Sequence, residues 1–102
     1  MNKLKLLIWG TKAEAASFIS NGYSGEVMGF VETHRSVSEY KMPDGVSKPI
    51  YDANNLPKEY DYIIVANRHG SEIYQYCIEK SMDISKIIFL YGTTQPAGCT
   101  DE

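Results

Sequence analysis

The chain has 102 residues, of which 43% are hydrophobic and 23% charged, with a net charge of −3. This is globular rather than disordered usage, and the length accommodates one core and one domain. An acidic chain lacks the basic footprint that holds nucleic acid or an anionic membrane, so any anion site has to be local.

From the N-terminus, Met1 to Lys5 runs into only a few apolar residues before Gly10. That stretch is too short for a signal-peptide core or a membrane span, and it predicts a soluble, cytoplasmic protein. Leu4 to Trp9 is a short apolar run of the kind found in a parallel strand buried on both faces. From Thr11 the period changes: Ala15, Phe18 and Ile19 share a helical face, and Asn21-Gly22 supplies a stop. Val27 to Glu32 is a second apolar run, closed by an acid and preceded by Gly25.

Thr33 to Lys48 has no clear periodicity and contains the turn sequence Pro43-Asp44-Gly45, so it is expected as a long loop. Pro49 to Tyr51 predicts a short third strand, with the proline at a sheet edge. Asn54 to Pro57 is expected as a turn or a single helical turn. Tyr60 to Ala66 is the strongest buried-strand pattern in the chain. A helix follows in which Ile73, Tyr76, Cys77 and Lys80 share a face, with Ser71 or Asn67 as N-cap and with Tyr74 and Tyr76 divided between surface and core. Ile87 to Leu90 closes the pattern as a fifth strand. These elements predict an α/β fold, a small Rossmann-like parallel sheet in the order 3-2-1-4-5 with flanking helices. The domain is expected over residues 1–91, with 92–102 a polar tail or linker.

In that order the connections reverse direction beside strand one, and ligands of open α/β sheets bind at such a switch point, outside the carboxyl ends of the strands. The residues there carry the candidate chemistry. Gly10-Thr11-Lys12-Ala13-Glu14-Ala15 matches the first glycine and final small residue of G-x-G-x-x-G/A, but Lys12 stands where the second glycine lets backbone approach a pyrophosphate. An ammonium at a helix N-terminus can meet a phosphate or carboxylate directly; a solvated lysine on a tight turn is the plainer reading. Glu32 ends strand two 22 residues beyond Gly10, where an acid binds ribose hydroxyls in dinucleotide folds, although an acid exposed at a strand end needs no function.

His34 and Arg35 follow strand two, and Asn67, Arg68 and His69 follow strand four. With Lys12 these gather cationic side chains at one edge of the sheet, as an anionic ligand requires; loops are rich in polar residues in any case. His69 can exchange a proton near neutral pH, yet no nucleophile, GxSxG, HExxH or GxxxxGK[ST] pattern accompanies it. Cys77 and Cys99 occur without CxxC or Cys/His clusters, which predicts free thiols in a reducing compartment and no metal site.

The segments IWGTKAEA, EVMGFVET, KPIYD, YDYIIVAN and SEIYQYCIEKSMDISKIIFL together resemble the small Rossmann-like domain at the N-terminus of FkbM-type methyltransferases and related surface-polysaccharide proteins. A similar domain, which binds a nucleotide-sugar, begins acetyltransferases of the PglD type. The resemblance implies a module for a nucleotide-sugar or sugar phosphate, not catalytic by itself, lying beside a methyltransferase or other transferase. The alternative is a docking domain with an empty crevice that positions a neighbouring catalytic domain or partner chain. The sequence names no cofactor. The ligand-site candidates are Gly10, Thr11, Lys12, Glu32, Asn67, Arg68 and His69, and weak self-association through a sheet edge is expected.

Overall fold

The computed structural model describes residues 3–33 and 37–90. The apolar runs become β1 (Lys5–Trp9), β2 (Glu26–Glu32), β4 (Ser47–Asp52), β5 (Tyr62–Val65) and β6 (Ile87–Phe89), joined by a further strand, β3 (Glu39–Lys41). Helix α1 (Ala13–Ser20) follows β1, α2 (Gly70–Glu79) follows β5, and a 3-10 turn at Ile84–Lys86 leads into β6. The result is a mixed α/β fold with one six-stranded sheet, ordered β3-β4-β2-β1-β5-β6. His34, Arg35, Cys99 and the tail over 92–102 lie outside the described residues.

This order differs from the expected five-stranded 3-2-1-4-5. The sixth strand comes from the segment expected as a loop: β3 pairs antiparallel with β4, whereas β4 with β2, β2 with β1, β1 with β5 and β5 with β6 are parallel. Three residues are too few to register a period, so burial rather than pattern makes this strand. Tyr40 stacks on Phe30 with ring centroids 4.0 Å apart, and Met42 is buried in the same cluster. Pro43-Asp44-Gly45 is the hairpin turn: Met42 N–H donates to the Val46 carbonyl at 2.8 Å, and the Asp44 carboxylate accepts the Val46 N–H at 3.0 Å. Pro49 therefore does not sit on the edge strand. It faces Glu39 in the antiparallel ladder, and the parallel pairing with β2 begins only at Ile50, so no ladder donor is missed.

Alternation along the strands gives each face its own core. Leu7, Trp9, Val31, Ile63 and Val65 meet Ile73 and Cys77 of α2, while Ile8, Val27, Phe30 and Ile50 meet Ala15 of α1. A parity break in β2 makes this division possible. Leu6 pairs with Val27 but Leu7 pairs with Gly29, leaving Met28 as a bulged residue. The bulge lets Val27 and Phe30, three apart, share the α1 face; in an unbroken strand they would point to opposite sides. Gly29 sits at this irregularity because a Cβ there would lie 2.7 Å from the Tyr51 ring and 2.9 Å from the Pro49 carbonyl oxygen.

Two local expectations about α2 are corrected. Its N-cap is His69, without a side-chain cap bond, because the Asn67 carboxamide accepts the His69 N–H at 2.8 Å and starts the helix later than a cap at Asn67 would. Tyr74 and Tyr76 are both half-buried: Tyr76 meets Trp9 edge-on at 5.8 Å, and Tyr74 meets Phe89 at 5.9 Å. Lys80, exposed at the C-cap, keeps the face it was expected to share with Tyr76, its Nζ 5.7 Å from the centroid of that ring. Among the described residues no helix is long and apolar enough to cross a membrane.

Candidate functional site

The carboxyl ends of β1, β2 and β5 are tied together by main-chain bonds. Gly10 N–H donates to the Val31 carbonyl and Ala66 N–H to the Trp9 carbonyl, each at 3.0 Å. At this point β1 and β5 approach so closely that a Cβ on Gly10 would lie 2.6 Å from the Ala66 carbonyl oxygen, and Gly10 has φ +130°. Gly10 is thus required by strand-to-strand contact, whatever the turn binds.

Beyond these ends lies a cleft of about 230 Å³ lined by Gly10, Thr11, Lys12, Glu32, Asn67 and His69, with Trp9, Val31 and Thr33 also contributing to its wall. Six of the seven sequence candidates therefore converge. The seventh, Arg68, does not line the cleft. Its Nε is 2.8 Å from the Glu14 carboxylate, an ion pair that joins the turn after β5 to the first turn of α1. Its own backbone amide, and then the Arg68 guanidinium, hold the Glu14 carboxyl below the usual range. Arg68 consequently braces the rim of the cleft, and Lys12 rather than Arg68 stands in the cleft wall at the α1 end. Lys12 is exposed and forms no ion pair among the described residues.

Glu32 is the most constrained polar group in the cleft. Thr11 Oγ1 donates to its Oε2 at 2.5 Å, fixing the carboxylate at the end of β2. The other oxygen, Oε1, is buried and has no hydrogen-bond partner among the described residues. A buried carboxylate oxygen without a donor is unfavourable by about 1–3 kcal/mol or more, which a ligand hydroxyl or a water can recover. His69 contributes an exposed imidazole whose Nδ1 is 3.8 Å from Glu72 Oε1, a weak surface pair.

A second hollow of about 320 Å³ adjoins the first, sharing Thr33, Asn67 and His69 and continuing onto Glu72, Ile73 and Tyr76 of α2. The sequence reading did not include Thr33, Trp9 or Tyr76 in the site. Trp9 Nε1 donates to Thr33 Oγ1 at 3.2 Å, and the Tyr76 hydroxyl donates to Asn54 Oδ1 at 2.6 Å, so indole and phenol are fixed rather than mobile. Tyr76 was legible only as a core position on the helical period. Thr33 had a signal, since it directly follows the acid of β2.

A larger hollow, about 540 Å³, lies at the opposite, amino-terminal edge of β1. Three of its five charged residues are already engaged: Lys5 Nζ is 3.8 Å from Glu59, and the Lys5 N–H donates to Asp61 at 2.6 Å. The carboxyl edge is the candidate site because Glu32 Oε1, buried and without a partner among the described residues, is there. No protein-family model matches this chain, and no curated protein matches it in sequence.

Proposed function

We propose that the protein is a Rossmann-like binding module, cytoplasmic and not catalytic by itself, for a nucleotide-sugar or sugar phosphate. The ligand lies across the carboxyl ends of β1, β2 and β5. Glu32 carries this reading: the residue lines the cleft, Thr11 holds its carboxylate, and its Oε1 is buried and lacks a donor among the described residues, so a small shift of the carboxylate would present an acceptor to sugar hydroxyls. Lys12, at the N-cap of α1, supplies positive charge for the phosphate alongside the positive end of the helix dipole. The adjoining hollow over Ile73 and Tyr76 offers an apolar surface for the remainder of the ligand. In this reading the module serves surface-polysaccharide or other sugar-modifying enzymes, beside a transferase.

Lys12 in place of a glycine favours a second reading, a docking domain whose cleft stays empty. Titration calorimetry against UDP-sugars, simple sugar phosphates, NAD and S-adenosylmethionine separates the two. A charge-assisted contact contributes roughly 1.5–3 kcal/mol, so Lys12→Ala is expected to weaken binding of the UDP-sugar or sugar phosphate at least about tenfold. Glu32→Gln, which retains size and removes charge, is expected to do the same. Arg68→Ala is expected to weaken binding less than either. No binding of any probe by the wild type at millimolar concentration rejects the module in favour of docking.

A further inference from the structure

The two edges of the sheet are built differently. At one edge β3 is short, carries exposed Glu39 and Lys41, and is bounded by Pro43, the features that keep strand edges from pairing with other chains. At the other edge β6 is equally short but lacks the rest: Ile87 to Leu90 contains no charge, proline or bulge. We propose that the protein forms a two-fold dimer by antiparallel pairing of β6 with β6 of a second copy, centred on Ile88.

The hydrogen-bonding direction of the edge fixes this register. Leu90 N–H donates inward to the Val65 carbonyl at 3.1 Å. Successive residues of a strand turn their main-chain groups to alternate sides, so Ile88 also faces β5, while Ile87 and Phe89 direct N–H and C=O outward. A two-fold axis at Ile88 sets Ile87 of one copy against Phe89 of the other. Each such pair exchanges two hydrogen bonds, and the two Ile88 side chains meet at the close, non-hydrogen-bonded position.

The side chains flanking the edge fit the same axis. On the α1 face Ile88 is 42% and Leu90 40% exposed, and no helix of the described residues covers them. On the other face Phe89 packs against Tyr74, and Ile78, one turn further along α2, is 47% exposed. Among the described residues, apolar groups therefore border the β6 edge above and below, and with Ile88 on the axis no like charges are opposed. A second copy satisfies both the strand and its flanks, because the patch is its own complement. An interface built on one short strand from each copy belongs to the small class, below about 1,200 Å² in total, so it is expected to be weak and concentration dependent.

Sedimentation equilibrium of the full chain without ligand, from micromolar to millimolar concentration, tests this independently of the cleft. The wild type is expected to pass from monomer to dimer. Ile88→Lys and Ile88→Glu, checked for folding by circular dichroism, are each expected to remain monomeric, and their equimolar mixture is expected to recover the dimer as opposite charges meet on the axis. A monomeric wild type at millimolar concentration overturns the proposal, as does a dimer that survives Ile88→Lys. Failure of the mixture to recover the dimer overturns the register. If the Ile88 variants do not fold, Ile78→Lys replaces them: loss of the dimer supports the proposal and its persistence rejects it.

Discussion

At the scale of single residues, the cleft is shaped by groups whose alternatives are sterically or electrostatically excluded. Gly10 combines φ +130° with a carbonyl oxygen 2.6 Å from its missing Cβ. Gly10→Ala is therefore expected to lower stability by roughly 2 kcal/mol or more, read as a lower urea midpoint at unchanged slope. Cys77 shows the opposite kind of constraint: it is fully buried, and burial pushes its thiol up to about 11. Since the folded value lies above that of the unfolded chain, this thiol favours folding fully at low pH and progressively less as pH rises from the ordinary thiol range through about 11. Wild type should accordingly lose more stability than Cys77→Ala between neutral pH and pH about 11, as denaturation at each pH will measure. Equal losses would show that Cys77 ionises as easily in the folded protein as in the unfolded chain. The sequence identified Glu32 by type and spacing, but its unsatisfied oxygen depends on Thr11 and on burial by distant segments, which no spacing encodes. Arg68 illustrates the limit from the other side: its position after β5 was legible, whereas its attachment to Glu14 requires the turn after β5 and the start of α1 to meet in space.

At the scale of elements, long periodic segments could be read and short ones could not. The runs that became β1, β2 and β5 are apolar enough to declare burial on both faces, and α1 and α2 show their three- and four-residue spacing. Strand β3 declares nothing, since Glu39-Tyr40-Lys41 has one aromatic among charges and gains its place by stacking Tyr40 on Phe30. Tyr40→Ala is expected to detach this hairpin: backbone amides of residues 39–41 should exchange with solvent much faster, while those of β1 and β5 remain protected. Uniformly faster exchange would instead mean that the hairpin belongs to the central folding unit. The bulge in β2 was equally hidden, because its signal is a change of parity at Met28 that becomes visible only against β1. The turn into β6 adds a pH-sensitive joint. Ser85, through its hydroxyl and its backbone N–H, holds the Asp83 carboxyl below its usual range. A depressed folded value favours folding above the unfolded carboxyl range and ceases to do so as pH falls through it. Asp83→Asn should therefore reduce the acid sensitivity of the wild type, seen as a flatter dependence of stability on pH below about 5.

At the scale of the whole molecule, the mixed α/β arrangement places a helix on each face and leaves two margins on which the proposals rest. The carboxyl edge holds the cleft, and the β6 side holds an unguarded strand. Topology brings Lys12, Glu32, Asn67 and His69 together although 57 positions separate the first from the last. The sequence pattern anticipated that convergence because parallel strands align their carboxyl ends, but it could not anticipate the second hollow, which depends on how Tyr76 settles against Trp9. Binding across this edge is the central claim, and amide chemical-shift mapping by NMR during titration with a UDP-sugar tests it most directly. The account predicts shifts concentrated at Gly10, Thr11, Lys12, Glu32, Thr33, Asn67 and His69, with weaker ones at Ile73 and Tyr76 and none along β3. Saturable shifts confined to the Lys3, Lys5 and Asp61 edge, or no shifts at millimolar ligand, would contradict it.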